Sequence, residues 1–169
     1  MKLFASMVSS SICISLLIAC AAQPVPNGSN PTSTGMSGVK EPSADELKAL
    51  AMSYTKLPAL NTDLKQSPMH GGVYVRTHLD EAANAAYQKK QFPYPDGATA
   101  FKQAHGSLTG PIDRIYVMRK IKDYDPANKD WYYAVLSPEG TVRQSGKIGM
   151  CISCHDKYQA KDYIAGFDN

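Results

Sequence analysis

Near the end of the chain, Cys151-Ile152-Ser153-Cys154-His155 places two thiols with two residues between them and an imidazole directly after the second. Four chemistries use cysteines at this spacing. A structural zinc site needs four ligands, and the remaining histidines of the domain, His70, His78 and His105, are scattered over different segments. A thioredoxin-like dithiol belongs in a βαβ setting after an early strand, whereas this pair lies at the end of the chain. A disulfide across two residues closes a very small loop and stabilises little. Attachment of a c-type haem uses all three side chains: each thiol forms a thioether with one vinyl group, and the adjacent histidine ligates the iron. The motif thus predicts one covalently bound haem c, with Cys151 and Cys154 as attachment points and His155 as the proximal iron ligand.

Such haem is attached outside the bacterial cytoplasm, and the other end of the chain agrees. Residues 1–19 begin with one lysine and continue as an apolar stretch of signal-peptide length. Leu17-Ile18-Ala19-Cys20 resembles the lipobox of bacterial lipoproteins, which implies cleavage before Cys20 and lipidation of its thiol. Ala21 is not the aspartate that favours inner-membrane retention, so the expected location is the cell envelope, anchored in the outer membrane on its periplasmic side. Residues 20–42 are rich in Pro, Gly, Ser, Thr and Asn and read as a flexible tether. The haem domain is expected over 43–169. Of four cysteines, Cys13 leaves with the signal peptide and Cys20 is lipidated, which leaves Cys151 and Cys154. A net charge of +3 without any long Lys/Arg run excludes a phosphate-tracking surface, so no nucleic-acid partner is expected.

The elements that position the motif can be read in outline. Ser43 and Glu46 fit a capping box ahead of a helix carrying Leu47, Leu50 and Ala51, which ends before Pro58. Val73 to Leu79 reads as a strand, Asp80 as the cap of an alanine-rich helix, and FPYPDG as a turn. Further strands are predicted over Ala98 to Ala104, Arg114 to Ile121, Trp131 to Leu136 and Thr141 to Gln144, the last two as a hairpin with a four-residue loop. A short helical or irregular tail follows from Cys151. The fold class expected is α+β: a mainly antiparallel sheet with a few flanking helices and a C-terminal haem-attachment segment.

The stretch from His70 to Tyr163 resembles the cytochrome P-460 and cytochrome c′-beta family. HGGVYV, FPYPDGATAFK, IYVMRKIKDYDPANKDWYYAVLSPEG, and GKIGMCISCH followed by DY carry the likeness. It implies a pentacoordinate haem and chemistry on small nitrogen oxides: hydroxylamine oxidation, which would make the chain an oxidoreductase, or nitric oxide binding. It also implies a homodimer, with a soluble cytochrome c as a redox partner.

In cytochromes P-460 a lysine is joined to the porphyrin after a D-G-x-x-x-x-K pattern, and Asp96, Gly97 and Lys102 match it. Strand alternation puts Ala98, Ala100 and Lys102 on one face and Thr99, Phe101 and Gln103 on the other, so two small residues flank the lysine. The family's distal carboxylate aligns at or near Ile115, in a strand with no Asp or Glu from Arg114 to Ile121. That substitution favours binding a neutral gas over proton-coupled oxidation. The alternative is a monohaem electron-transfer cytochrome with a sixth protein ligand, for which Met69, His70, His78, His105, Met118 and Met150 are the chemically suitable side chains.

Overall fold

The computed structural model describes residues 38–166. The expected signal peptide of residues 1–19, the expected lipidation site Cys20 and nearly all of the expected tether lie outside the described residues. Ser43 caps helix α1 (Ala44–Ser53) through a reciprocal box: its hydroxyl accepts from the Glu46 amide, and its own amide donates to the Glu46 carboxylate. Asp80 accepts from the Ala83 amide at the start of helix α2 (Glu81–Lys89). A third helix, α3 (Gly149–His155), carries the CISCH motif. Among the described residues, no helix is long and apolar enough to cross a membrane.

Six strands form one antiparallel meander in chain order: β1 (Lys65–Ser67), β2 (Val73–Leu79), β3 (Thr99–His105), β4 (Ile112–Lys120), β5 (Trp131–Leu136) and β6 (Val142–Gly146). The α+β expectation therefore holds. Lys-Gln-Ser of β1 carries no hydrophobic signature that would predict a strand; it forms because it pairs with the start of β2. β6 starts after the expected position, and the register shift against β5 at Val135 and Leu136 absorbs the difference.

Both faces of the sheet are buried. On one, Leu79, Ala100, Met118 and Tyr133 pack with Ala83 and Ala86 of α2 and with Tyr163 and Ile164 of the C-terminal segment. On the other, Phe101, Ile115, Val117, Tyr132 and Leu136 pack against Leu47, Ala51 and Tyr54. Period-2 alternation divides the strand residues between these two cores. Because both sides are apolar, the central strands read as near-continuous hydrophobic runs.

Candidate haem site

On a helix, positions i, i+3 and i+4 lie on one face, so Cys151, Cys154 and His155 are presented together by α3 for local reasons alone. The direction of that face is set by the C-terminal segment beyond the helix. His155 Nδ1 lies 2.6 Å from the carbonyl oxygen of Tyr163. A carbonyl only accepts, so Nδ1 carries the proton and Nε2 keeps its lone pair. This is the arrangement in which a histidine ligates a metal while its other nitrogen holds the ring.

The segment supplying that carbonyl is clamped from several sides. The Asp162 carboxylate takes Lys120 Nζ at 2.7 and 2.9 Å and the Tyr94 amide at 2.8 Å, and Trp131 Nε1 donates to the Asp162 carbonyl at 2.8 Å. Asp162 and Tyr163 both take left-handed backbone conformations, with φ of 48° and 69°. Asp162 thereby fixes the segment that bears the Tyr163 carbonyl. In the sequence it is visible only as part of the DY pair.

Facing α3 is a cavity walled by β3, β4 and β5. Cys151, His155, Lys102, Tyr116, Met118 and Tyr133 line it, with Ala100 as a flat stretch of wall beside the lysine. Lys102 pairs with Thr77 and Tyr116 across the sheet, and no hydrogen bond or ion pair holds its amine among the described residues. Burial lowers its pKa to about 8, so about a tenth of the amine is neutral at pH 7. Burial, opposed by the Tyr163 carbonyl and reinforced by Lys102, also lowers the pKa of His155. The Cys151 thiol is pushed up by burial and then by Cys154, the reverse of what an activated redox thiolate requires.

The residues present fit a haem attached at this motif. The donor set is complete, the wall next to Lys102 is small, and two polar atoms of lining residues, Thr77 Oγ1 and Tyr133 Oη, are buried without a partner. Among the described residues, no cluster of three or more His, Cys, Asp or Glu could hold a bare metal ion.

Lys102, Cys151 and His155 come together at this cavity, and Cys154 sits half-buried on the same helix. Ile115 does not join them. It pairs with Gln103 and packs in the α1-facing core, while its neighbour Tyr116 lines the cavity. The residue expected at or near the distal position thus faces α1 and not the cavity, because neighbours on a strand point to opposite faces. The ring of Phe101 stacks on Tyr54 at 5.7 Å in the α1-facing core, and the residue also borders the cavity. None of the lining residues is Asp or Glu.

Of the other potential iron ligands, His78 contacts the Leu57 carbonyl and the Tyr54 ring, and His105 contacts Gly110 and Gln103. Met69 and Met150 are exposed. Only Met118 and His70 line the cavity. His70 ends a one-turn helix, Pro68–His70, and is followed by Gly71 and Gly72, both at φ +78°. Glycine adopts that conformation without the penalty a Cβ would bring, and the turn swings His70 over the sheet. Its pKa is pushed down to about 3 by burial, then by Lys102 and His155, so the imidazole is neutral.

No curated protein matches the sequence at a significant level. The family model for Cytochrome P460 matches residues 52–165, from the end of α1 through Tyr163 and two residues beyond. The match takes in most of the chain and every element that builds the cavity, α3 and the lysine-bearing β3 included. On that ground the chain belongs to the cytochrome P460 family of monohaem c-type cytochromes, with haem c as the cofactor this implies.

Proposed function

We propose that this protein holds one haem c through thioethers to Cys151 and Cys154, with His155 Nε2 on the iron, and uses the Lys102 side of the cavity to handle a small nitrogen oxide, nitric oxide or hydroxylamine. The observation that carries the reading is the convergence of Lys102, Cys151 and His155 on one cavity whose other walls are mainly apolar. Bound there, haem c supplies an iron centre able to take a diatomic ligand or accept electrons from hydroxylamine. The chain supplies the rest. The Tyr163 carbonyl holds His155 in one tautomer, Ala100 leaves a flat wall, and the apolar lining excludes water. Lys102 is the candidate for the family's porphyrin cross-link.

With no carboxylate among the lining residues, the amine of Lys102 is the side chain left to accept a proton leaving hydroxylamine, since His70, pushed down to about 3, is too weak a base. That limited basicity favours ligand binding over rapid turnover. On this reading the protein resides in the cell envelope, lipidated at Cys20, as a homodimer exchanging electrons with a soluble cytochrome c. Electron transfer through a six-coordinate haem is the second reading, favoured by one observation, the approach of His70 to His155.

The test is the optical spectrum of protein matured in a host that attaches haem c. Acid-acetone extraction should leave the colour with the protein, and nitric oxide should change the ferrous spectrum. A Soret band far to the red, lost in Lys102→Leu, identifies the cross-link. A colourless extracted protein refutes the attachment, and spectra indifferent to both nitric oxide and hydroxylamine refute the nitrogen-oxide assignment.

A further inference from the structure

Thr77 of β2 lines the cavity with a hydroxyl that the fold leaves unsatisfied. The residue is 3% exposed, and among the described residues no hydrogen bond engages its Oγ1. Its backbone is held by the segment ahead of β1. The Thr77 amide donates to Asn61 Oδ1 at 2.9 Å, and its carbonyl accepts from the Leu60 amide at 2.8 Å. Asn61 is buried in turn and donates through Nδ2 to the Asp63 and Val75 carbonyls at 2.6 and 3.0 Å. A β-branched side chain on a backbone so fixed has few rotamers open to it. Valine has nearly the same shape, suits a strand as well and buries no polar atom. A hydroxyl buried here without a partner points to one that the chain itself does not supply.

Two unsatisfied hydroxyls line the cavity, and the sheet assigns them to different ends. Tyr133 of β5 carries one, and its ring lies 5.7 Å from that of His155. Thr77 carries the other, on β2, separated from β5 by two strands and directly opposite Lys102. We propose that the Thr77 hydroxyl donates a hydrogen bond to the small molecule bound at the iron on the Lys102 side, and so favours ligands that accept one. This contact rests on the nitrogen-oxide reading of that side and on haem held by Cys151, Cys154 and His155, and it names the group that selects the ligand. Nitric oxide and hydroxylamine each carry an oxygen able to accept, and azide a terminal nitrogen, whereas carbon monoxide is a poor acceptor. Among mainly apolar walls a single such bond counts for more than it would in water. Asn61 acts through Thr77 as a positioning residue, since it fixes the backbone from which the hydroxyl projects.

The test compares wild-type holoprotein with Thr77→Val and Thr77→Ser, using azide on the ferric form and carbon monoxide on the ferrous form as probes. Thr77→Val should weaken azide about two- to tenfold, the size of one hydrogen bond, and raise the C–O stretching frequency while carbon monoxide affinity changes less than about twofold. Thr77→Ser should keep the wild-type values. Without added ligand, Thr77→Val holoprotein should unfold at the same or a higher urea concentration than wild type, because its hydroxyl has no partner to lose. A lower midpoint would reveal a structural partner and overturn the proposal, as would unchanged azide affinity and C–O frequency. The effect of Thr77→Val should persist in a Lys102→Leu background; its disappearance there would assign the hydroxyl to the lysine amine and also overturn the proposal. If azide and carbon monoxide respond as expected while nitric oxide and hydroxylamine leave the spectra unchanged, the Thr77 contact stands and the nitrogen-oxide function fails. If nitric oxide binds and Thr77→Val alters neither azide affinity nor C–O frequency, that function stands and the contact fails. If Thr77→Val yields too little holoprotein, Thr77→Ala, which also removes the hydroxyl, provides the same comparison.

Discussion

Lys102 illustrates how one residue can be ordinary in sequence and unusual in place. A strand lysine is most often solvated, yet here its amine lies in the cavity with a pKa lowered to about 8 by burial. The folded-state value lies below the unfolded value of 10.5, so between pH 8 and 10.5 the unfolded chain binds the extra proton and stability rises with pH. The tyrosines Tyr94, Tyr124 and Tyr133, raised mainly by burial, act in the opposite sense: above about pH 10 the unfolded chain ionises them first, and stability falls as pH rises further. The haem-free wild type should therefore gain about 2–3 kcal/mol relative to Lys102→Met as pH rises from 8 to 10, read by urea unfolding of both proteins. Parallel curves for the two would show that the amine is solvated.

Among the elements, the C-terminal segment matters as much as the helix that bears the motif. Asp162 joins it to β4 through Lys120 and to the FPYPDG turn through the Tyr94 amide. Removing one member of a buried ion pair leaves the other charge uncompensated. Asp162→Ala should cost about 3–5 kcal/mol in unfolding free energy and broaden the haem spectrum, because the Tyr163 carbonyl that orients His155 loses its support. Helix α1 serves a different purpose. Leu47 is 1% exposed and packs on the face opposite the cavity. Leu47→Ala should cost about 2–5 kcal/mol while leaving the spectrum of the folded protein unchanged. A spectral shift there would mean that the two cores communicate through the sheet.

Across the molecule as a whole, the two-faced sheet separates tasks: one core stabilises, and the other offers the cavity proposed to take the cofactor. The proposed membrane attachment rests on Cys20, ahead of the described domain. Cys20→Ser should move the protein from the membrane fraction to the soluble periplasmic fraction without altering its haem spectrum. An unchanged distribution on fractionation would refute the lipid anchor.

What depends on neighbours along the chain was legible in the amino-acid order. The CISCH spacing places three side chains on one helical face, and the Ser43–Glu46 box and Asp80 start two helices. Strand alternation also turns the Phe101 ring into the α1-facing core, since that contrast with Lys102 is internal to β3. Which face of each other strand meets the cavity came from the three-dimensional arrangement. Both faces of β4 are buried, so hydrophobicity could not say that Tyr116, rather than Ile115, lines it; pairing register with β3 does. The approach of His70 to His155, and the Asp162 clamp behind His155, join segments remote in the chain. Their meeting is set by the strand order of the meander and the turns between strands, and no local propensity encodes such a distance.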